Sequence, residues 1–369
     1  MAHPPGGERR PSLIGSGTLR TIGFAGTAKN AGKTTTTLYV LDLLAQAAIP
    51  TALTSIGYDG ENKDNVTGLP KPRFLLQPGM LVATAEGCLK AGSAAIRILE
   101  RSGIQTVLGE IVIGVVEQAG TVLVAGPNRR SDLKLLFARL AERGAALTLV
   151  DGALNRLVPM VCTDGLVLST GASYSEDIDV ITNHAAALME LMQPPQAGTP
   201  LPADKGIQIR RDSQPPFSLQ PGSLLGEKSL MALQAALSAP VAELLIPGVC
   251  DPLRLETLLD GGALNGATLT FGSPLKLIAS GDPLTWRRVF ARAAQLDVHI
   301  RYLEKTPVFF LTVNPFYPRY LLQVGEYEPA YVDRLALLAT ARARIHGVPV
   351  IDILQPPVPD LLSLMEIPH

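Results

Sequence analysis

The sequence predicts an α/β protein: a doubly wound, mostly parallel sheet with a second, smaller α/β domain. Two observations carry this expectation. Apolar runs of strand length, at 51–55, 146–150 and 165–170, alternate with segments of helical period such as 132–143. The stretch 21–39, TIGFAGTAKNAGKTTTTLY, reads as a buried strand, a small-residue loop from Gly26 to Gly32, and a helix opened by Lys33, Thr34 and Thr35. Strand, glycine-bearing loop, Gly-Lys-Thr and helix together form a phosphate-binding loop, so the sheet is expected to be of the P-loop NTPase type.

Residues 1–19 are rich in Pro and Gly without an apolar core, which reads as a flexible tail and not a signal peptide. Residues 20–192 form the expected nucleotide-binding domain. Within it, the second strand ends in Ile56-Gly57-Tyr58-Asp59-Gly60, a polar turn where parallel sheets place their active sites. Short strands are expected at 74–76 and 80–83, and a helix over 85–101 from Leu89, Ala95, Ile96 and Leu99. The apolar runs 105–116 and 120–125 read as a hairpin turning at Ala119-Gly120. After the amphipathic helix 132–143, one strand ends at Asp151-Gly152 and another at 165–170 precedes a helix with Glu176 and Asp177 in its first turn.

Residues 193–226, crowded with prolines and lacking an apolar period, read as a linker. Residues 227–369 form the expected C-terminal domain. It has strands at 244–246, 268–270, 309–313 and 348–353, and helices at 283–294 and 331–346. The segment Asp297-Val298-His299-Ile300-Arg301-Tyr302 begins like the D-x-H-x-x-G string that grips cobalamin. It has Tyr302 in place of the glycine, and reads as a connection.

Length and composition narrow the function. The chain has 369 residues, 47% hydrophobic and 18% charged, with a formal net charge of −1, so it is expected to be globular with a core in each of two domains. Lys and Arg are scattered, which argues against nucleic acid or a membrane surface as partner. The most apolar run, 104–124, is interrupted by Glu110 and Glu117. Three separated cysteines and five dispersed histidines offer no metal cluster and fit a reducing, cytoplasmic setting.

The candidate nucleotide site comprises Gly26, Thr27, Ala28, Lys29, Asn30, Ala31, Gly32, Lys33, Thr34 and Thr35. Lys33 would neutralise the phosphates of ATP, and Thr34 would ligate Mg2+. The string departs from G-x-x-x-x-G-K-[ST], because Thr27 stands where the first glycine belongs; Thr27 suffices if its backbone dihedral is ordinary. The second lysine of partitioning-type ATPases would fall at Ala28, so that signature is absent. Asp151, at the end of an apolar strand, is the expected catalytic and magnesium-shell carboxylate, with Asp59 as a further metal ligand. Glu61 and Glu110 are lesser candidates for orienting water. The loop Ser169–Ser173 is one candidate for base recognition.

The run AKNAGKTTT, the string LTSIGYDGE, Leu108-Gly109-Glu110, Ala125-Gly126-Pro127 and Leu149-Val150-Asp151-Gly152-Ala153 resemble the reactivase subunit of adenosylcobalamin-dependent lysine 5,6-aminomutase. Ser169-Thr170-Gly171-Ala172-Ser173 and Thr312-Val313-Asn314-Pro315 extend the similarity, which covers most of 20–185 and, more loosely, 240–355. The resemblance implies an ATP-driven protein that opens a cobalamin-dependent aminomutase to release damaged cofactor. It would act with a partner ATPase resembling mismatch-recognition proteins; a homo-oligomer is equally allowed. The same loop occurs in dethiobiotin-synthetase-like and molybdopterin-guanine-dinucleotide-type proteins, so a ligase or kinase acting on a small carboxylate is the alternative; against it, the loops show no obvious clamp for an anionic substrate, although Arg129 and Arg130 near Gly126-Pro127 could serve. A nucleotide-dependent metallochaperone is disfavoured by the missing His/Cys cluster.

Overall fold

A strand that must be buried on both faces needs helices above and below it, and the alternation of apolar runs with helical periods supplies them. The computed structural model describes residues 20–57, 74–153, 158–198, 205–212, 214–323 and 325–367. The first part of the chain forms β1 (Thr21–Gly26), α1 (Lys33–Gln46), β2 (Thr51–Ser55), β3 (Phe74–Leu76), β4 (Leu81–Ala85), β5 (Ala95–Thr106) and β6 (Gly109–Gln118). It continues through β7 (Gly120–Val122), α2 (Arg130–Glu142), β8 (Leu147–Ala153), β9 (Gly165–Gly171) and α3 (Ile178–Leu191). A middle part holds β10 (Ile207–Arg211), β11 (Gln214–Leu219), α4 (Glu227–Ala236), β12 (Glu243–Ile246) and α5 (Pro252–Asp260). It ends with β13 (Thr268–Phe271), α6 (Pro274–Ile278), α7 (Pro283–Gln295) and β14 (His299–Tyr302). The last part is β15 (Val308–Asn314), β16 (Phe316–Leu321), β17 (Glu326–Tyr331), α8 (Arg334–Arg344), β18 (Val350–Ile351) and α9 (Leu361–Leu364).

Among the described residues the main sheet has nine strands in the order β18-β15-β9-β1-β8-β2-β4-β6-β5. Every neighbouring pair from β18 to β4 is parallel, and β6 runs antiparallel to both β4 and β5. The fold is therefore α/β with a large mixed, mostly parallel sheet. A second sheet, β11-β10-β12-β13-β14, has a parallel half, β12 to β14, and an antiparallel half.

The sheets divide the chain differently from the expected domains. Residues 308–351, assigned by sequence to a C-terminal domain, contribute β15 and β18 to the same sheet as β1. The five-stranded sheet spans 207–302, and its first two strands, β10 and β11, lie in the stretch read as a linker. Prolines 215 and 216 sit in β11, an edge strand, where a missing N–H is tolerated.

Two further elements depart from expectation. Residues 85–101 are a short 3₁₀ turn, Glu86–Cys88, followed by β5, not a helix. The ladder of β5 with β6 has register shifts at Ala95/Ile96, Ile98/Glu100 and Arg101/Gln105. Those bulges break the period-two alternation that would have marked a strand. The hairpin turns at Val107-Leu108, where Thr106 faces Gly109 and Gly109 takes a φ of 100°; Gly120 instead begins β7, which pairs with β3. Residues 299–302, read as part of a connection, are β14, paired in parallel with β13.

Helix α3 joins the two sheets. Its buried Ile181, Ala185, Leu188 and Leu191 belong to one apolar cluster with Leu311 and Val313 of β15 and with Leu244, Phe271 and Trp286 of the second unit. It packs against both α7 and α8. The Tyr302 hydroxyl donates to the Leu191 carbonyl at 2.6 Å in this core, and burial pushes its pKa up. Arg287 of α7 adds a bidentate grip on Glu190 at 2.6 and 2.9 Å. Among the described residues no helix is long and apolar enough to cross a membrane.

Replacing Tyr302 with Phe leaves the Leu191 carbonyl buried without its donor. The expected cost is about 1–2 kcal/mol. A lower urea midpoint at unchanged slope, followed by Trp286 fluorescence, checks it.

Candidate phosphate-binding site

The candidate loop leaves β1 at Gly26 and enters α1 at Lys33. β1 lies between β8 and β9, so the loop sits at the carboxyl edge where the connections diverge to opposite sides. Two residues carry the sharp turn: Asn30 at φ 65° and Gly32 at φ 95°. Gly32 is the N-cap of α1 and supplies no side-chain hydrogen bond, whereas α3, α5 and α7 are capped by the carboxylates of Asp177, Asp251 and Asp282. The first turn of α1 also holds no acidic residue. Its leading N–H groups and the positive end of its dipole thus face the loop without an anionic cap.

Thr27 needs no glycine, because the left-handed positions fall at Asn30 and Gly32. Its N–H donates to the Ser169 carbonyl at 2.8 Å, and its hydroxyl donates to that of Thr170 at 2.9 Å. The loop is thereby tied to the end of β9.

Lys33 Nζ lies 2.8 Å from Asp151 Oδ2, both side chains being mostly buried. Parallel pairing sets Phe24 of β1 beside Asp151 of β8, so the carboxylate rises next to the loop. β8 runs on to Ala153, and Asp151 is thus within the strand. Thr34, half-buried, follows on the first turn of α1. Asp59 and Glu61 lie outside the described residues. Glu110 is not at the site: it is on β6, separated from β1 by β4, β2 and β8, where it accepts the Gly103 N–H at 2.7 Å. Arg130 is held by Glu304 at 2.7 and 2.9 Å. Arg129 lines a surface groove of about 780 Å³ with Gly57, Gly126 and the tip of the β5–β6 hairpin.

Sequence reasoning missed what supports the loop. Thr36 of α1 meets Thr312 of β15 at 3.0 Å, and Thr312 donates to Ser169 Oγ of β9 at 2.8 Å. All three are buried. Asn314, at the end of β15, donates from Nδ2 to the Asn30 carbonyl at 3.0 Å. A Cβ on Gly32 would lie 3.0 Å from Asn314 Cβ. The signal was Thr312-Val313-Asn314-Pro315, polar residues closing an apolar strand, but nothing in the string locates β15 two strands from β1.

After β9, the ring of Tyr174 stacks on His184 of α3 with centroids 4.2 Å apart. Burial lowers the pKa of His184 from 6.5, opposed by Asp282, whose Oδ2 is 3.9 Å from Nε2. Among the described residues no group of His, Cys, Asp and Glu could hold a metal ion by itself. No protein-family model matches the chain, and no curated protein matches it in sequence.

Gly32→Ala forces a side chain into the left-handed region and against Asn314. The expected loss is about 1–2 kcal/mol, read as a lower denaturation midpoint. His184 binds its proton less readily folded than unfolded. Its contribution is therefore complete above about pH 6.5 and is lost as the pH falls below it. Midpoints measured from pH 7.5 down to 5 should fall, and less steeply in His184→Gln.

Proposed function

We propose that the chain binds a magnesium–nucleoside triphosphate at residues 26–35, as a P-loop NTPase does. The observation that carries this reading is Lys33 paired with Asp151 beside an uncapped helix N-terminus. The donor set fits the ligand. Main-chain N–H groups and Lys33 suit the phosphate oxygens, while the Thr34 hydroxyl and the Asp151 carboxylate suit Mg2+.

ATP is the expected nucleotide, and hydrolysis the expected reaction. For its purpose the resemblance to the aminomutase reactivase gives the leading proposal: nucleotide-dependent work on a cobalamin-dependent enzyme, with a second ATPase as partner. The groove beside Arg129 favours the alternative, an ATP-dependent ligase or kinase of dethiobiotin-synthetase type. It lies at the end of β2, on the same carboxyl edge as the loop, and offers one guanidinium to a small carboxylate.

Lys33→Ala should abolish ATP binding in calorimetric titration, a loss of at least about a hundredfold for a charge-assisted contact to phosphate. A variant that binds ATP like the wild type refutes the assignment. Asp151→Asn should retain nucleotide and lose its dependence on Mg2+. Turnover that requires a cobalamin mutase or a sister ATPase supports the reactivase; full turnover with a small acid alone supports the ligase.

A further inference from the structure

The hairpin β16–β17 begins two residues beyond Asn314, which touches the phosphate loop. Its root is closed by the Val332 N–H on the Pro315 carbonyl at 3.0 Å. Its two faces differ in composition. On one face the register pairs Tyr317 with Ala330, Arg319 with Glu328 and Leu321 with Glu326; Tyr317 and Ala330 are buried in the core that contains α3. On the other it pairs Phe316 with Tyr331, Pro318 with Pro329 and Tyr320 with Tyr327, with no charged residue among them.

Alternation along the strand says which way that second face is turned. In β15, Leu311 and Val313 enter the α3 core, while Thr312 and Asn314 reach α1 and its loop. Tyr317 returns to the α3 core with the parity of Val313. Phe316, on the hairpin face opposite that of Tyr317, therefore faces the side of Thr312 and Asn314, and its N–H donates to Asn314 Oδ1 at 3.2 Å. Its ring meets that of Tyr331 at 5.8 Å and 65°, and Tyr331 is 62% exposed. An aromatic–proline strip thus starts beside the phosphate loop, on the same side of the sheet as α1.

The charges of the site orient a bound nucleotide. Asp151 lies on the β8 side of β1, so the metal and the terminal phosphate belong on that side. The nucleoside end then extends the opposite way, over the ends of β9 and β15. We infer that the Phe316–Tyr331 pair is the platform on which the base of the nucleotide stacks. This rests on the nucleotide-binding reading and adds a specificity element to it. Stacking uses the π-face that every base offers, so the platform selects by ring area and favours purines over pyrimidines without reading the exocyclic groups that separate ATP from GTP.

The test measures two ligands on three proteins: ATP and inorganic tripolyphosphate, each with Mg2+, titrated into wild type, Tyr331→Ala and Lys33→Ala. Tyr331 is exposed, so its truncation leaves the core intact. The expected result is a loss of ATP affinity of about tenfold in Tyr331→Ala with tripolyphosphate affinity unchanged, and recovery in Tyr331→Trp. Lys33→Ala should lose both ligands. If Lys33→Ala loses both while Tyr331→Ala binds ATP like the wild type, the stacking platform is overturned and the phosphate loop stands. If the wild type binds neither ligand, or Lys33→Ala binds both normally, the two readings fall together.

Discussion

The buried hydroxyl chain Thr36–Thr312–Ser169 is the constraint on which the site depends. It joins the first turns of α1 to the carboxyl halves of β9 and β15, at 3.0 and 2.8 Å. A buried hydroxyl left without a partner costs roughly 1–3 kcal/mol, and these three share partners with one another and, for Thr36, with the Gly32 carbonyl at 3.1 Å. Their contacts tie the start of α1 to both strands. They also show what 308–351 brings to the first sheet: Thr312 adds a partner for the Thr36 hydroxyl beyond the Gly32 carbonyl, and Asn314 donates to the Asn30 carbonyl.

That constraint marks the limit of what the sequence discloses. The strand–loop–helix at 21–46 was legible because its signals are local: an apolar run, glycine at the turn, and Lys-Thr-Thr at the helix start. Asp151 was legible because it follows an uninterrupted apolar run. The role of Asn314 was not, since nothing near residue 314 says that residue 30 is its neighbour. Local pattern also failed where a partner strand decides the outcome. Residues 95–106 carry bulges that disrupt alternation, and only the ladder with β6 makes them a strand. Prolines misled at 214–219, where an edge position removes their cost.

The ion pair between Lys33 and Asp151 bears on how a ligand would enter. Two mostly buried charges at 2.8 Å satisfy one another, and either one left alone would be costly. A phosphate arriving without a metal would compete with Asp151 for Lys33 and leave a carboxylate facing an anion. A phosphate arriving with a divalent cation brings a partner for each charge. Under the proposed reading, this charge balance would disfavour a free nucleotide relative to its magnesium complex.

β15 also gives the second unit a physical link to the loop. It follows β14 of the five-stranded sheet after a short connection, in which Glu304 is clamped by Arg130 of α2. Along the same strand, Thr312 and Asn314 hold α1 and the loop, and Val313 packs with α3 beneath the second unit. A displacement of that unit cannot leave β15 unaffected, because Tyr302 and Arg287 fasten it to α3. Under the proposed reading, coupling between nucleotide and partner is then a property of one strand. A partner that grips the five-stranded unit differently in two states would change the affinity of the loop for its ligand, and the ligand would bias the partner by the same factor.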